Sequence, residues 1–165
     1  MLKNILILII IYEVCIMLLR KIKRRIVYQK AKKRAKLTGK KLLVIGDPYN
    51  GIASKSTGID YSCGDVCIDL TGCPMCPESI KGRLEDTIGK LKMDEYVIYI
   101  SCVLEYVDDL DYINTFLNKV KPEDLFVVNV EWYSFMAWFY PYFLTKERPP
   151  KYIRGPRGYF KNPFF

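Results

Sequence analysis

Hydrophobic and polar positions divide the chain into three regimes. Residues 5–19 carry only the single charge of Glu13 in an otherwise apolar run, and residues 20–41 then carry 12 Lys or Arg and no acid. From residue 42 onward, short unbroken apolar runs alternate with amphipathic stretches. The runs 42–45, 65–70, 96–100 and 125–130 read as strands, each bounded by turn-forming or polar residues. Ile80, Leu84, Ile88 and Leu91 recur at helical spacing, as do Leu110, Ile113, Leu117 and Val120, whose helix is stopped by Lys121-Pro122. Strands apolar on both faces and interleaved with helices predict an α/β domain with a mostly parallel sheet of about four strands. A long N-terminal helix precedes it and is expected to stop at Thr38-Gly39.

The first regime changes the picture of where the domain sits. A bilayer span takes about 20 apolar residues, with a lower limit of about 17, so residues 1–19 predict an uncleaved anchor with Lys3 and Arg20 at its two ends. The bulky Leu18-Leu19 that closes the run lacks the small residues of a signal cleavage site. By the positive-inside rule the basic segment stays cytosolic, which predicts a single-pass membrane protein with its C-terminal domain in the cytosol. The membrane is then the expected partner, through residues 1–19 and the basic arm 20–41, whose charges attract anionic headgroups. A core helix or peripheral segment is the alternative, because Glu13 is costly in mid-span. Nucleic acid is disfavoured as a partner, since only Tyr28 interleaves the basic residues and single strands need aromatic platforms. No feature names a protein partner.

Composition bounds the chemistry. At 165 residues the chain holds one domain and an appendage, and 50% hydrophobic residues suffice for a packed core. The formal charge of +8 is a balance of +12 over residues 1–41 and −4 over residues 42–165, so the globular part is mildly acidic. There is no histidine, which excludes imidazole bases, Ser-His-Asp and Cys-His nucleophile pairs, and histidine metal ligands. The expected organisation is an anchor helix over 1–19, a basic juxtamembrane helix over 20–39, an α/β domain over 40–145 and a tail over 146–165 rich in Pro, Gly and basic residues.

In an open parallel sheet, ligands bind beyond the carboxyl ends of the strands where strand order reverses. With the first strand central, this rule selects the turn from Gly46 to Gly51, the strand end at Asp69, and the segments after Ser101 and Glu131. Glycines at 46 and 51 let backbone approach a ligand, and Asp69 lies 23 residues past Gly46, near the offset of about 20 at which a carboxylate meets ribose hydroxyls. An ordinary loop and an ordinary strand-end Asp explain the same residues.

Taken in order and spacing, residues 42–51, 65–70, 94–109 and 120–131 resemble the successive strand motifs of class I S-adenosylmethionine-dependent methyltransferases. The clearest piece is the apolar strand leading into Val103-Leu104-Glu105-Tyr106-Val107, similar to the family's Val-Leu-Glu-His-Val, and Val120-Lys121-Pro122 stands where the family carries a Leu-Lys-Pro-Gly-Gly turn. The resemblance implies a reduced Rossmann-like fold with S-adenosylmethionine as cofactor. It places Gly46, Asp47 and Gly51 at the methionine part, Asp69 at the ribose, and Ser101, Cys102 and Leu104 at the cofactor edge. Asp47, Glu105, Tyr106 and Glu131 are acid-base candidates by location alone. About 23 residues separate Leu70 from Asp94, short for the family's helix, third strand and helix, and the 34 residues after Glu131 leave no place for its final antiparallel hairpin.

Four of the six cysteines, Cys63, Cys67, Cys73 and Cys76, fall within 14 residues. In a cytosolic domain they are expected to be reduced, and four thiolates suit tetrahedral zinc. Cys67 lies inside a predicted strand, so plain buried cysteines are the alternative. Cys73-Pro74-Met75-Cys76 also looks like a glutaredoxin-type active site, where a helix N-terminus lowers a thiol pKa. The aromatic stretch 132–144 is expected to cover a sheet edge, and residues 146–165 to extend as a tail. The functional expectations are therefore three: a membrane-anchored methyltransferase-like protein that binds S-adenosylmethionine, a non-catalytic membrane-associated scaffold on the same fold, or a zinc or thiol-redox module.

Overall fold

A computed structural model describes residues 2–46, 62–130, 132–134 and 150–163. The N-terminal regimes of the sequence form one continuous helix, α1 (Leu2–Thr38), of 37 residues and about 55 Å at the usual rise per residue. It stops at Gly39, whose φ of +68° closes the helix as expected. The domain then runs β1 (Lys41–Ile45), β2 (Val66–Asp69), β3 (Glu78–Lys81), α2 (Leu84–Ile88), β4 (Tyr96–Ser101), α3 (Leu110–Leu117), β5 (Leu125–Val128), β6 (Tyr152–Gly155) and β7 (Gly158–Lys161).

Strands β1 to β5 form one sheet in the order β3-β2-β1-β4-β5, every pairing parallel. This is the α/β architecture read from the sequence, with five strands rather than about four. The additional strand is β3, which contains Ile80. Periodicity had assigned Ile80 to a helix, but Gly82 with φ +152° breaks the chain there and the helix begins only at Leu84. The short β2–β3 connection thus omits a helix and keeps the strand.

Alternation along the strands builds two apolar layers. Leu43, Ile45, Val66, Ile68, Ile98 and Ile100 face α2 and α3, packing on Leu84, Ile88, Ile113 and Leu117. Leu42, Val44, Cys67, Val97, Tyr99 and Val128 face the other way, onto Tyr28, Ala31 and Ala35 of α1. Helix α3 begins at Asp109, whose carboxylate accepts from the Tyr112 N–H at 2.9 Å, a side-chain cap of the usual kind.

The docked face of α1 is a stripe at helical spacing, Glu13, Ile16, Arg20, Arg24, Val27, Tyr28, Ala31 and Ala35, buried or half-buried in turn. Glu13 accepts from the Ser134 hydroxyl at 2.8 Å and the Tyr12 hydroxyl donates to the Tyr133 carbonyl at 3.3 Å, so the middle of the apolar run meets the domain's own chain. The expected single-pass anchor is corrected by this structure. Among the described residues no helix is long and apolar enough to cross a membrane.

The segment read as an extended tail folds back instead. β6 and β7 pair as an antiparallel hairpin, and the Tyr152 N–H donates to the Glu105 carbonyl at 3.0 Å. Tyr152 and Tyr159 pack against the core on the α2–α3 side. The expected Gly46–Gly51 turn beyond Gly46, Glu131 and most of the aromatic stretch lie outside the described residues.

Candidate functional site

Strand order reverses between β1 and β4, and this crevice collects several of the residues singled out by sequence. Ile45 registers with Ile68 on one side and Ile100 on the other, so Gly46 emerges between the ends of β2 and β4. Its N–H donates to the Ile68 carbonyl at 2.8 Å, and its φ is +75°. A side chain at this position would place Cβ 2.0 Å from Val103 Cγ2 and 3.0 Å from the Ser101 carbonyl, so only glycine lets the β1 end lie against the β4 end. Gly46, Asp69, Ser101 and Cys102 are thereby brought to one rim of the sheet. Asp47 and Gly51 lie outside the described residues.

The individual side chains differ in what they offer. Asp69 Oδ1 accepts from the Thr71 N–H at 2.8 Å and the Thr71 hydroxyl at 2.7 Å, so part of its carboxylate closes the local turn. Leu104 packs in the apolar core and presents nothing polar. Ser101 is buried, and its hydroxyl has no hydrogen-bond partner among the described residues. Cys102 takes φ +51°, a left-handed conformation that costs a non-glycine residue roughly 1–2 kcal/mol. Its thiol accepts from Arg24 Nη2 at 3.0 Å. Burial pushes the Cys102 thiol up, and the charge of Arg24 opposes this only in part.

Glu105 is the centre of the buried chemistry. It is 2% exposed, Oε1 accepts from the Val130 N–H at 2.6 Å, and Oε2 is buried without a hydrogen-bond partner among the described residues. Burial raises its carboxyl from 4.5 to about 7, against the Val130 bond and the guanidinium groups of Arg20 and Arg24. Tyr159, from the C-terminal hairpin, donates to Asn129 Oδ1 and lies under the Arg154 guanidinium at 5.3 Å. Burial and the nearby Glu105 drive its phenol far above the ordinary range. Tyr106 is half-buried beside this group.

Near neutral pH the rim therefore holds a thiol and a phenol that keep their protons, a carboxyl close to its midpoint, and two guanidinium groups supplied by α1. Such a set can hydrogen-bond and charge-match a polar or anionic group. The thiol is not activated as a nucleophile. Asn129 and Tyr159 were not singled out by sequence, and Arg20 and Arg24 were read only as the end of an anchor and part of a basic arm. For the two arginines the signal was present, since Ile16, Arg20, Arg24 and Tyr28 repeat every four residues on the docked face.

The cysteine cluster lies on the face of β2 that packs on α1. Cys63 bonds Cys76 and Cys67 bonds Cys73, with Cα separations of 5.3 and 6.1 Å, which corrects the expectation of four reduced thiols. The β2–β3 connection turns back within a few residues and delivers the partners to bonding distance. The sulfurs of Cys67, Cys73 and Cys76 lie within 4.8 Å of one another, so the group that the sequence nominated for metal is gathered in space. No helix of eight residues follows Cys76, since the chain enters β3, and the glutaredoxin-type arrangement is absent there.

In comparisons with protein-family models, curated proteins and solved structures, nothing matches this chain, and the parallel sheet with its 3-2-1-4-5 order is a likeness to the Rossmann-like architecture at the level of fold.

Proposed function

We propose that this protein is a small-molecule-binding domain whose crevice at the ends of β1, β2 and β4 takes S-adenosylmethionine. The observation that carries the reading is the packing of Gly46 against Ser101 at the point where strand order reverses, with Asp69 on the neighbouring strand end. Backbone at Gly46 accommodates the amino-acid part of the ligand, and the carboxylate of Asp69 accepts from its ribose. Among the described residues the buried Ser101 hydroxyl and Glu105 Oε2 have no hydrogen-bond partner, which supports a crevice that a polar ligand fills. Binding is the activity this reading assigns. Methyl transfer would draw on proximity and orientation, and the Cys102 thiol of the described rim is not activated for it.

Calorimetric titration of the full chain with S-adenosylmethionine tests it. A saturable heat is expected, and Asp69→Ala is expected to weaken the affinity about tenfold, the equivalent of roughly 1.4 kcal/mol. Absence of heat at millimolar ligand with the native fold intact overturns the reading.

A second reading is favoured by the sulfurs of Cys67, Cys73 and Cys76 within 4.8 Å of one another, and it treats the β2–β3 loop as a zinc or thiol-redox module. Zinc analysis of the purified chain distinguishes it from a purely structural pair of bridges.

A further inference from the structure

Cys63, Cys67, Cys73 and Cys76 are drawn together by the sheet as much as by their spacing. Parallel pairing sets Cys67 of β2 beside Ser79 of β3, and the Ser79 hydroxyl accepts from the Cys73 N–H at 2.7 Å. The connecting loop is therefore pulled back over the strand it has just left. Within it the Cys76 N–H donates to the Cys73 carbonyl at 3.0 Å, closing the turn that carries two of the four sulfurs. The two bridges form a single knot, because Cys76 Sγ is bonded to Cys63 and also lies within 4.8 Å of both sulfurs of the other bridge.

We propose that these four sulfurs are one site with two covalent states, a pair of disulfides when oxidised and a tetrathiolate holding a single zinc ion when reduced. The inference rests on the second reading above and adds to it the exchange between states. Zinc–sulfur bonds of about 2.3 Å in a tetrahedron place ligand sulfurs about 3.8 Å apart; the sulfurs of Cys67, Cys73 and Cys76 already lie within 4.8 Å of one another, and Cys63 is carried to the group by its bond to Cys76. The donors in the cluster are all soft sulfur, with no carboxylate among them, which selects zinc over calcium or magnesium. Cys67 and Cys73 are fully buried between Val44 and the Tyr28–Ala31 face of α1. Reduction alone leaves four unbonded sulfurs that need more room than two bridges, and one ion at their centre restores the cross-links.

The exchange balances with a phosphine as reductant. Each disulfide takes two electrons from phosphorus, which takes the oxygen of one water molecule and leaves as phosphine oxide, while the two protons of that water end on the two sulfurs. Zinc then displaces four thiol protons to solvent as four zinc–sulfur bonds form. The site lies directly beneath α1, where the Tyr28 hydroxyl donates to the Cys63 carbonyl at 2.6 Å. Both cross-linked states hold this loop under the helix, whereas the reduced, metal-free state releases it. The site is in this sense a redox-gated clamp between α1 and the sheet.

The test uses the full chain, treated anaerobically with tris(carboxyethyl)phosphine, loaded with zinc chloride and passed through a desalting column. One zinc per chain is expected after reduction and none in the oxidised chain. Cys15 and Cys102, the two cysteines outside the bridges, are expected to remain the only thiols open to titration in the loaded chain, subject to their own access. Cobalt(II) in place of zinc is expected to give an intense sulfur-to-cobalt charge-transfer band with tetrahedral visible absorption, a readout that needs no variant. Cys73→Ser is expected to lose both metal and band. A reduced, folded chain that takes up neither metal overturns the site and the zinc form of the second reading together. Zinc that stays at one per chain through treatment with hydrogen peroxide, which takes two electrons from each pair of sulfurs and, with two protons from solvent, leaves as two water molecules, keeps the metal module standing and overturns the exchange.

Discussion

Glu105 shows how a single buried carboxyl can set the pH response of the protein. Its folded value of about 7 lies above the ordinary 4.5, so between these pH values the folded chain holds a proton that the unfolded chain has released. Stability therefore falls as pH rises through that window, by about 3 kcal/mol in full, and is flat in this respect below and above it. Glu105→Gln keeps an oxygen for the Val130 N–H and carries no charge, so its urea midpoint is expected to lose this dependence between pH 5 and pH 8. A variant with the same slope as the parent would place the titration elsewhere. Gly46 supports a second prediction. Gly46→Ala meets a left-handed φ worth about 1–2 kcal/mol and, in addition, contacts with Val103 Cγ2 and the Ser101 carbonyl. Val103→Ala is expected to recover part of that loss in the double variant, because one contact is removed while φ and the carbonyl remain. At this scale the sequence was informative about Gly46, Asp69 and Ser101, whose positions follow from strand ends and turn chemistry. It was silent on Tyr159, which comes near Glu105 only because a hairpin folds back from far along the chain, and on Asn129, which accepts from the Tyr159 hydroxyl.

Elements are held to one another by a few charged contacts whose partners are distant in sequence. Asp124, 1% exposed, accepts from Arg34 Nε at 2.7 Å and Lys40 Nζ at 2.9 Å, and so ties the end of α1 to the turn that feeds β5. Burial would raise its carboxyl, but the hydrogen bonds and charges of Arg34 and Lys40 outweigh it and hold the value below the ordinary 3.8. The clamp's contribution is thus present above pH 3.8 and is lost as the pH falls through the lowered folded value. Asp124→Asn is expected to cost roughly 1.5–3 kcal/mol in denaturant unfolding at pH 7, with Lys40→Ala costing less because Lys40 is partly exposed. Asp108 makes a similar tie, bridging Arg83 before α2 and Lys151 before β6. The Lys151 bond is the larger influence in holding its carboxyl at about 2. Most elements were legible because their apolar periods are unambiguous, as in β1, β4 and α3. β3 was not, since Glu78-Ser79-Ile80-Lys81 is polar and mostly exposed and reads as a strand only once β2 offers it a partner. The hairpin was hidden for a related reason, its strands being short and rich in Gly and basic residues.

Over the whole molecule, a mostly parallel sheet with β1 at its centre could be expected from the sequence, whereas the order 3-2-1-4-5 could not, since it includes a β3 that the apolar pattern did not reveal. The role of α1 could not, because the same run of residues supports either a span or a docked helix until the stripe from Glu13 to Ala35 finds its sheet. Docking uses only one side. Ile5, Leu6, Leu8, Ile10, Leu18 and Leu19 remain exposed, with Leu8 and Leu19 each at 65%, and together they make an apolar surface larger than isolated surface residues would. Covering a side chain of this kind is worth roughly 1.5–3 kcal/mol, so the full chain in dilute buffer is expected to associate through the N-terminal half of α1. Analytical ultracentrifugation at micromolar concentration checks this. The double variant Leu8→Lys/Leu19→Lys removes two of the most exposed positions without touching the docked stripe, and it is expected to shift the distribution toward monomer while circular dichroism stays unchanged. Added salt should strengthen association of the parent, since α1 also carries 11 Lys or Arg against the single acid Glu13 and its copies repel one another. A parent that sediments as a monomer at every salt concentration would show that these apolar residues are covered within the chain itself.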